Sequence, residues 1–208
     1  MKIAIIGAAG NIGSRILREA VSRGHEVTAV VRREGALDPE PNVEVERADA
    51  RDAGEVARLA DGHETVVVTV SSRKEGDAPI HQVVRAVVEG TRGAGPRVFV
   101  VGGAGSLEIS PGVQLLDTLQ FPEEYKAEAL QAREALEILR ASDVNWTYLS
   151  PAAEISPGER TGRYRAGGDR LLTDEEGNSR ISMEDFAVAV IDEIEEPKYR
   201  GRRFTVAY

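Results

Sequence analysis

Four apolar residues, Ile3–Ile6, run directly into Gly7-Ala8-Ala9-Gly10-Asn11-Ile12-Gly13, and a helical pattern of apolar residues follows at once. A buried strand that turns through three spaced glycines into a helix leaves few folds open. Gly7 permits the sharp turn, Gly10 lets an outside group approach the backbone, and Gly13 lets the helix lie close on the strand. Free N–H groups at the helix start, aided by the helix dipole, then favour a phosphate. The contacts expected from this turn are Gly7, Ala9, Gly10, Asn11, Ile12 and Gly13.

Strand and helix patterns alternate along the rest of the chain. A helix over Asn11–Arg23 carries Ile12, Ile16, Leu17 and Ala20 on one face and stops at Gly24. Strands are expected at Val27–Val31, Val43–Arg47, Thr65–Val70, Val98–Val101 and Asn145–Leu149, with a closing strand at Phe204–Ala207. Asp52 caps a short helix holding Val56 and Leu59, and Asp77 and Pro79 open one holding Ile80, Val83, Val84 and Val87. Pro122 begins a long helix to Arg140, and Ser182, with Asp185 three residues on, starts a last helix through Ile194. Ser150–Arg180 has little helical period and reads as loops and short hairpins above the sheet. Short βαβ connections imply an α/β, doubly wound parallel sheet of Rossmann type. No linker divides residues 1–208, which read as a single domain with 151–208 forming most of a small C-terminal substrate lobe.

The chain has no cysteine, which excludes disulfides, thiolate metal sites and a cysteine nucleophile. His25, His63 and His81 are scattered and give no metal set. A net charge of −9 argues against nucleic acid as a partner, because phosphate binding needs a basic surface. Ile3–Ile6 is too short for a signal-peptide core, and no apolar stretch approaches the roughly 20 residues of a membrane span. The expectation is a cytoplasmic protein, monomer or homodimer, whose partner is a small molecule rather than a membrane.

Glycines spaced in this way between a first strand and a first helix hold the pyrophosphate of a dinucleotide. The end of the second strand bears on which one. An NAD(H) site carries an acidic residue there, whereas this chain has Val31-Arg32-Arg33-Glu34. Two guanidiniums suit a 2′-phosphate, so NADP(H) is expected over NAD(H), with Glu34 keeping the opposite reading open. Asp49 and Ala50, past the third strand, are placed near adenine, although Asp49 also suits a plain turn. Thr69, Val70 and Ser71 follow the fourth strand, where the chain passes near the riboses. Gly102 and Gly103 leave the fifth strand, and Ser150, Pro151 and Ala152 leave the sixth. Lys126 suits cofactor phosphate or ribose, or simple exposure on its helix. Ser106 is the candidate for contact with the reacting ring, over a small-residue loop, Gly103–Ser106, on which a flat acceptor would stack. Arg160, Tyr164 and Arg165 read either as a lid attracting an anion or as a solvated loop.

Taken with Val100-Val101-Gly102-Gly103-Ala104-Gly105-Ser106-Leu107, Trp146-Thr147-Tyr148-Leu149-Ser150-Pro151-Ala152, Pro157-Gly158-Glu159-Arg160-Thr161-Gly162-Arg163-Tyr164 and the ending Arg203-Phe204-Thr205-Val206-Ala207-Tyr208, the glycine turn carries a resemblance. The chain resembles the atypical branch of the short-chain dehydrogenase/reductase superfamily, and within it the NAD(P)H-binding group of NADH-flavin reductase-like proteins. The resemblance implies a Rossmann domain with a small C-terminal substrate lobe, and redox chemistry on a flavin such as FMN or FAD, a quinone or a similar acceptor.

Most members of that superfamily use a Tyr with a Lys four residues later to exchange a proton with a carbonyl. Here the residues four after Tyr125, Tyr148, Tyr164 and Tyr199 are Ala129, Ala152, Gly168 and Arg203, and Tyr208 ends the sequence. The missing dyad argues against an ordinary alcohol dehydrogenase. It is compatible with direct hydride transfer to a flavin or other flat ring, which needs alignment more than acid–base help. It is equally compatible with a non-catalytic NADP(H)-binding redox sensor, or with a nucleotide-sugar epimerase-like enzyme of atypical site.

Overall fold

The computed structural model describes residues 1–37, 40–73, 76–93 and 95–208. The chain runs β1 (Lys2–Ile6), α1 (Gly13–Ser22), β2 (Glu26–Val31), β3 (Val43–Arg47), α2 (Ala53–Ala60), β4 (Thr65–Val68), α3 (Ile80–Gly90) and β5 (Arg97–Val101). It continues with β6 (Glu108–Ser110), β7 (Val113–Gln114), α4 (Glu123–Arg140), β8 (Trp146–Ser150), β9 (Glu154–Ser156), β10 (Arg165–Gly167), β11 (Arg180–Ser182), α5 (Met183–Glu195) and β12 (Arg202–Ala207). The main sheet has the order β10-β12-β8-β5-β4-β1-β2-β3. All its pairs are parallel except β10 with β12.

Side chains alternate across β1, and that alternation feeds two cores. Ile3 and Ile5 join Ile16, Leu17 and Ala20 of α1 and Phe186, Val190 and Ile194 of α5. Ala4 and Ile6 face the other way, toward Val56 and Leu59 of α2, Val83 and Val87 of α3, and Leu136 and Leu139 of α4. Helices therefore cover both faces, which is why the central strands are apolar along almost their whole length. The sheet reverses direction of growth at β1, so the crevice between the carboxyl ends of β1 and β4 is the natural ligand position.

Local signals worked where they were expected. The Asp52 carboxylate accepts from Gly54 N and Glu55 N to cap α2, and Ser182 Oγ accepts from Asp185 N to cap α5. The fourth strand ends at Val68 rather than Val70, and α1 starts at Gly13 rather than Asn11, because the intervening residues form the turns over the crevice. Residues 150–180 are mostly loop, as expected, but their short strands do not pair as hairpins with one another. β9 pairs in parallel with β11, and β10 adds an antiparallel edge to β12. A hairpin, β6–β7, follows β5 in a stretch where periodicity is silent. No helix among the described residues is long and apolar enough to cross a membrane.

Candidate functional site

The turn after β1 is assembled around the Gly7 carbonyl. Gly7 adopts φ +92°, and a Cβ there would lie 2.2 Å from Thr69 O, at the end of β4. Gly10 N donates to Gly7 O at 2.9 Å, and a Cβ on Gly13 would lie 2.1 Å from the same oxygen. Gly7 and Gly13 are therefore required by backbone packing. Gly10 differs: a Cβ there would meet only Gly7 O, at 3.2 Å, so its outer side is open. Ala9, Gly10 and Asn11 are exposed, and Ile12 stands at the N-cap of α1.

That helix start has no side-chain cap and no acidic residue in its first turn. Ser14 N donates to Gly10 O and Arg15 N to Ile12 O, so the N–H groups of Asn11, Ile12 and Gly13, with the positive end of the dipole, are what is left for an anion. The other helix starts each have some compensation, although α3 and α4 also lack a side-chain cap from their own N-cap residue. Besides the caps on α2 and α5, Ile80 N of α3 donates to Gln131 Oε1, and α4 carries Glu123 and Glu124 in its first turn.

Around this cradle lie the other expected contacts. Arg32 and Arg33 are exposed just beyond β2; Arg32 donates to Asp77 Oδ1 at 2.8 Å and to Gly76 O at 3.2 Å. The Asp49 carboxylate is gripped by the Arg51 guanidinium and backbone N–H, which hold its pKa down at about 2. An adenine amino group would have to share that carboxylate with Arg51, and Ala50 beside it is buried. Thr69 N donates to Ile6 O, while Ser71 Oγ and Ser72 N both donate to Glu128 Oε1 of α4. Glu128, which the sequence did not single out, also pairs with Arg73, whose guanidinium lies 5.0 Å above the Tyr125 ring. Lys126 is exposed, with its Nζ 3.4 Å from Glu123.

Past β5, Gly102 has a specific reason. A Cβ there would fall 2.0 Å from Tyr148 Cζ, so only glycine lets the loop pass this close over that ring. Tyr148 is fully buried, donates to Ala132 O at 2.9 Å, accepts from Gly103 N at 3.4 Å, and has its pKa pushed up by burial to about 12. Ser150, at the carboxyl end of β8, is buried with no hydrogen-bond partner for its hydroxyl among the described residues. Thr205, its register partner on β12, is in the same position. Pro151 and Ala152 are also buried.

Three expectations need correction. Ser106 does not face an open platform: it is 3% exposed, and its Oγ and backbone O both accept from Arg203 Nη1 at 2.9 Å. Gly105 is not stacking space either, because a Cβ there would lie 2.9 Å from Ala129 Cβ and 3.3 Å from Leu116 Cβ. Arg160, Tyr164 and Arg165 lie in or beside an exposed loop, as the solvated reading has it, but their polar groups are tied to the fold rather than open to a ligand. Arg160 donates twice to Glu19, Tyr164 OH donates to Asp192, and Arg165 donates to Tyr208 O and Thr173 O. Thr161 Oγ1 and Gly162 N donate to Asp185, and Gly158 N donates to Glu184. The segment is tied to α1 through Glu19 and to α5 through Glu184, Asp185 and Asp192.

Among the described residues no group of three metal-ligating side chains converges. The donor set instead fits a dinucleotide. It offers a cradle at Gly10 that a side chain would fill, a helix start without a cap, and an orphaned hydroxyl on Ser150 at the carboxyl end of β8, three strands along the same rim. Known proteins agree at the level of family. A family profile described as NAD(P)H-binding matches residues 7–197. Among solved structures, a "putative exported protein" from Burkholderia pseudomallei is 47% identical with a TM-score of 0.90, covering 100% of both chains. A "putative epimerase" from Bacteroides thetaiotaomicron is 40% identical, TM-score 0.92, covering 100% of this chain and 96% of that one. A "putative NADH-flavin reductase" from Streptococcus pneumoniae TIGR4 is 35% identical, TM-score 0.89, covering 100% and 99%. These names diverge while the fold does not. The chain belongs to the NAD(P)H-binding family, with a Rossmann-type fold.

Proposed function

We propose that the protein is an NADPH-dependent reductase that passes hydride directly to a flat acceptor, a flavin or quinone, without a tyrosine acid. The observation that carries this reading is the state of the tyrosines. Tyr148 is buried with its hydroxyl committed to Ala132 O, Tyr164 to Asp192, and Tyr208 to Asp185. Tyr199 stacks on Phe204, and Tyr125 lies exposed under Arg73 with no lysine one helical turn on. Carbonyl reduction needs a placed proton donor, whereas a ring that delocalises charge needs only alignment.

Bound NADPH supplies the hydride. The Gly10 backbone and the open start of α1 are suited to its diphosphate, and Arg32 and Arg33 to its 2′-phosphate. Ser150 offers its hydroxyl to the nicotinamide side, and the Gly102–Gly103 backbone, drawn down onto Tyr148, borders the space for the acceptor. Cytoplasmic location belongs to the same reading. Steady NADPH oxidation with FMN, riboflavin, a quinone and a small aldehyde tests it. Turnover with a flat acceptor and none with the aldehyde is expected. Tight NADPH binding without any turnover would overturn the reading and favour a redox sensor.

A further inference from the structure

Arg32 stands one residue past β2, and Asp77 lies three residues before α3, in the connection that follows β4. Because β1 sits between β2 and β4, the Arg32–Asp77 ion pair bridges the crevice above the end of β1. The two side chains are unequal: Asp77 is 11% exposed and Arg32 56%, so the guanidinium reaches out to a carboxylate held by the protein. Arg33 is exposed and makes no hydrogen bond or ion pair among the described residues.

We infer that Asp77 is a specificity-determining residue that competes with the 2′-phosphate of the dinucleotide for Arg32 and so restrains the preference for NADP(H). The inference rests on the reading of Arg32 and Arg33 as the 2′-phosphate contacts. A carboxylate and a phosphate monoester are alternative partners for one guanidinium. Arg32 donates through Nη1 and Nη2 to the Gly76–Asp77 segment, so an arriving phosphate takes these donors over or shares what remains of the five. In either geometry two anions meet at one cation, and their repulsion opposes binding. The penalty falls on the 2′-phosphate alone, because the ribose 2′-hydroxyl of NAD(H) carries no charge. Arg33, with no competing partner, becomes the first contact of the phosphate.

The test is calorimetric titration of NADP+ and NAD+ into wild type, Asp77→Asn, Arg32→Ala, Arg33→Ala and the double variant Asp77→Asn/Arg32→Ala. Asp77→Asn should raise the NADP+ over NAD+ affinity ratio about three- to fivefold, the weight of a partly exposed ion pair. Its NAD+ affinity should stay unchanged, which also reports that the crevice remains folded. In the Arg32→Ala background the same change should leave the ratio alone. An unchanged or lowered ratio in Asp77→Asn, or an equal gain with Arg32 absent, would overturn the inference. Failure of the underlying reading looks different: wild type would bind both dinucleotides equally, and Arg33→Ala would not alter NADP+ affinity. An unchanged ratio in Asp77→Asn while Arg33→Ala still weakens NADP+ would overturn the competition alone and leave that reading standing.

Discussion

The Gly7–Gly13 turn and the Gly158–Arg165 segment are both rich in glycine and backbone N–H groups, yet they handle polar groups in opposite ways. At the turn, α1 begins without a side-chain cap, and the space beside Gly10 is open. In Gly158–Arg165 the N–H groups of Gly158 and Gly162, the Thr161 hydroxyl, the Arg160 guanidinium and the Tyr164 phenol all have partners on α1 or α5. Donors left open are available to a ligand, and donors already answered hold the fold together. A run of glycines and arginines does not distinguish the two cases until partners are known.

The sharpest way to break this contrast lies within the turn. Gly13→Val places carbon about 2 Å from a carbonyl that cannot yield, and should cost about 3 kcal/mol or more, read from the urea midpoint. Gly10→Val should instead keep a near-native midpoint and lose dinucleotide binding, because its side chain projects into the open cradle. Equal instability of both variants would mean that the turn is wholly structural. On the other side, Asp185 is fully buried and accepts from Thr161 Oγ1, Gly162 N and Tyr208 OH. Asp185→Ala should cost about 2–4 kcal/mol by orphaning those donors, and should loosen residues 158–165 toward proteases.

The same carboxylate sets a pH dependence. Burial works to raise the Asp185 pKa, but hydrogen bonds from Thr161, Tyr208 and Gly162 outweigh it and hold the carboxyl below its usual 3.8. A depressed folded pKa adds stability above 3.8, and that contribution disappears as pH falls through the folded value. The stability gap between wild type and Asp185→Asn should therefore be constant from about pH 7 to 5 and narrow below pH 4. The smallest effect is expected at Arg160. Its side chain is 54% exposed and Glu19 keeps Arg23 as a second partner, so Arg160→Ala should cost about 1 kcal/mol or less. NADPH affinity should not change in Arg160→Ala, and a clear loss would restore an anion-attracting lid.

What was legible in the sequence is what is encoded locally. The glycine turn, the strand periods and the caps at Asp52 and Ser182 involve residues within a few positions of one another, so spacing reveals them. What was not legible depends on pairs far apart in the chain. Gly102 is explained by Tyr148, and Ser106 by Arg203, 97 residues on. Arg160 is explained by Glu19, 141 residues earlier, and the Ser71–Arg73 turn by Glu128. None of these partners stands at a spacing that a helix or strand period selects, so Ser106 and Arg160 read as site residues although their polar groups are already engaged.

Hydride transfer without a phenol stands or falls at Tyr125, the exposed tyrosine whose ring lies under Arg73 near the Glu128 anchor. The measurement is the rate of NADPH oxidation by wild type and Tyr125→Phe with FMN, a quinone and a small aldehyde. Flavin or quinone reduction should differ by less than about twofold between the two proteins, with no aldehyde turnover in either. Aldehyde turnover by wild type that collapses in Tyr125→Phe would contradict it and make that phenol the proton donor.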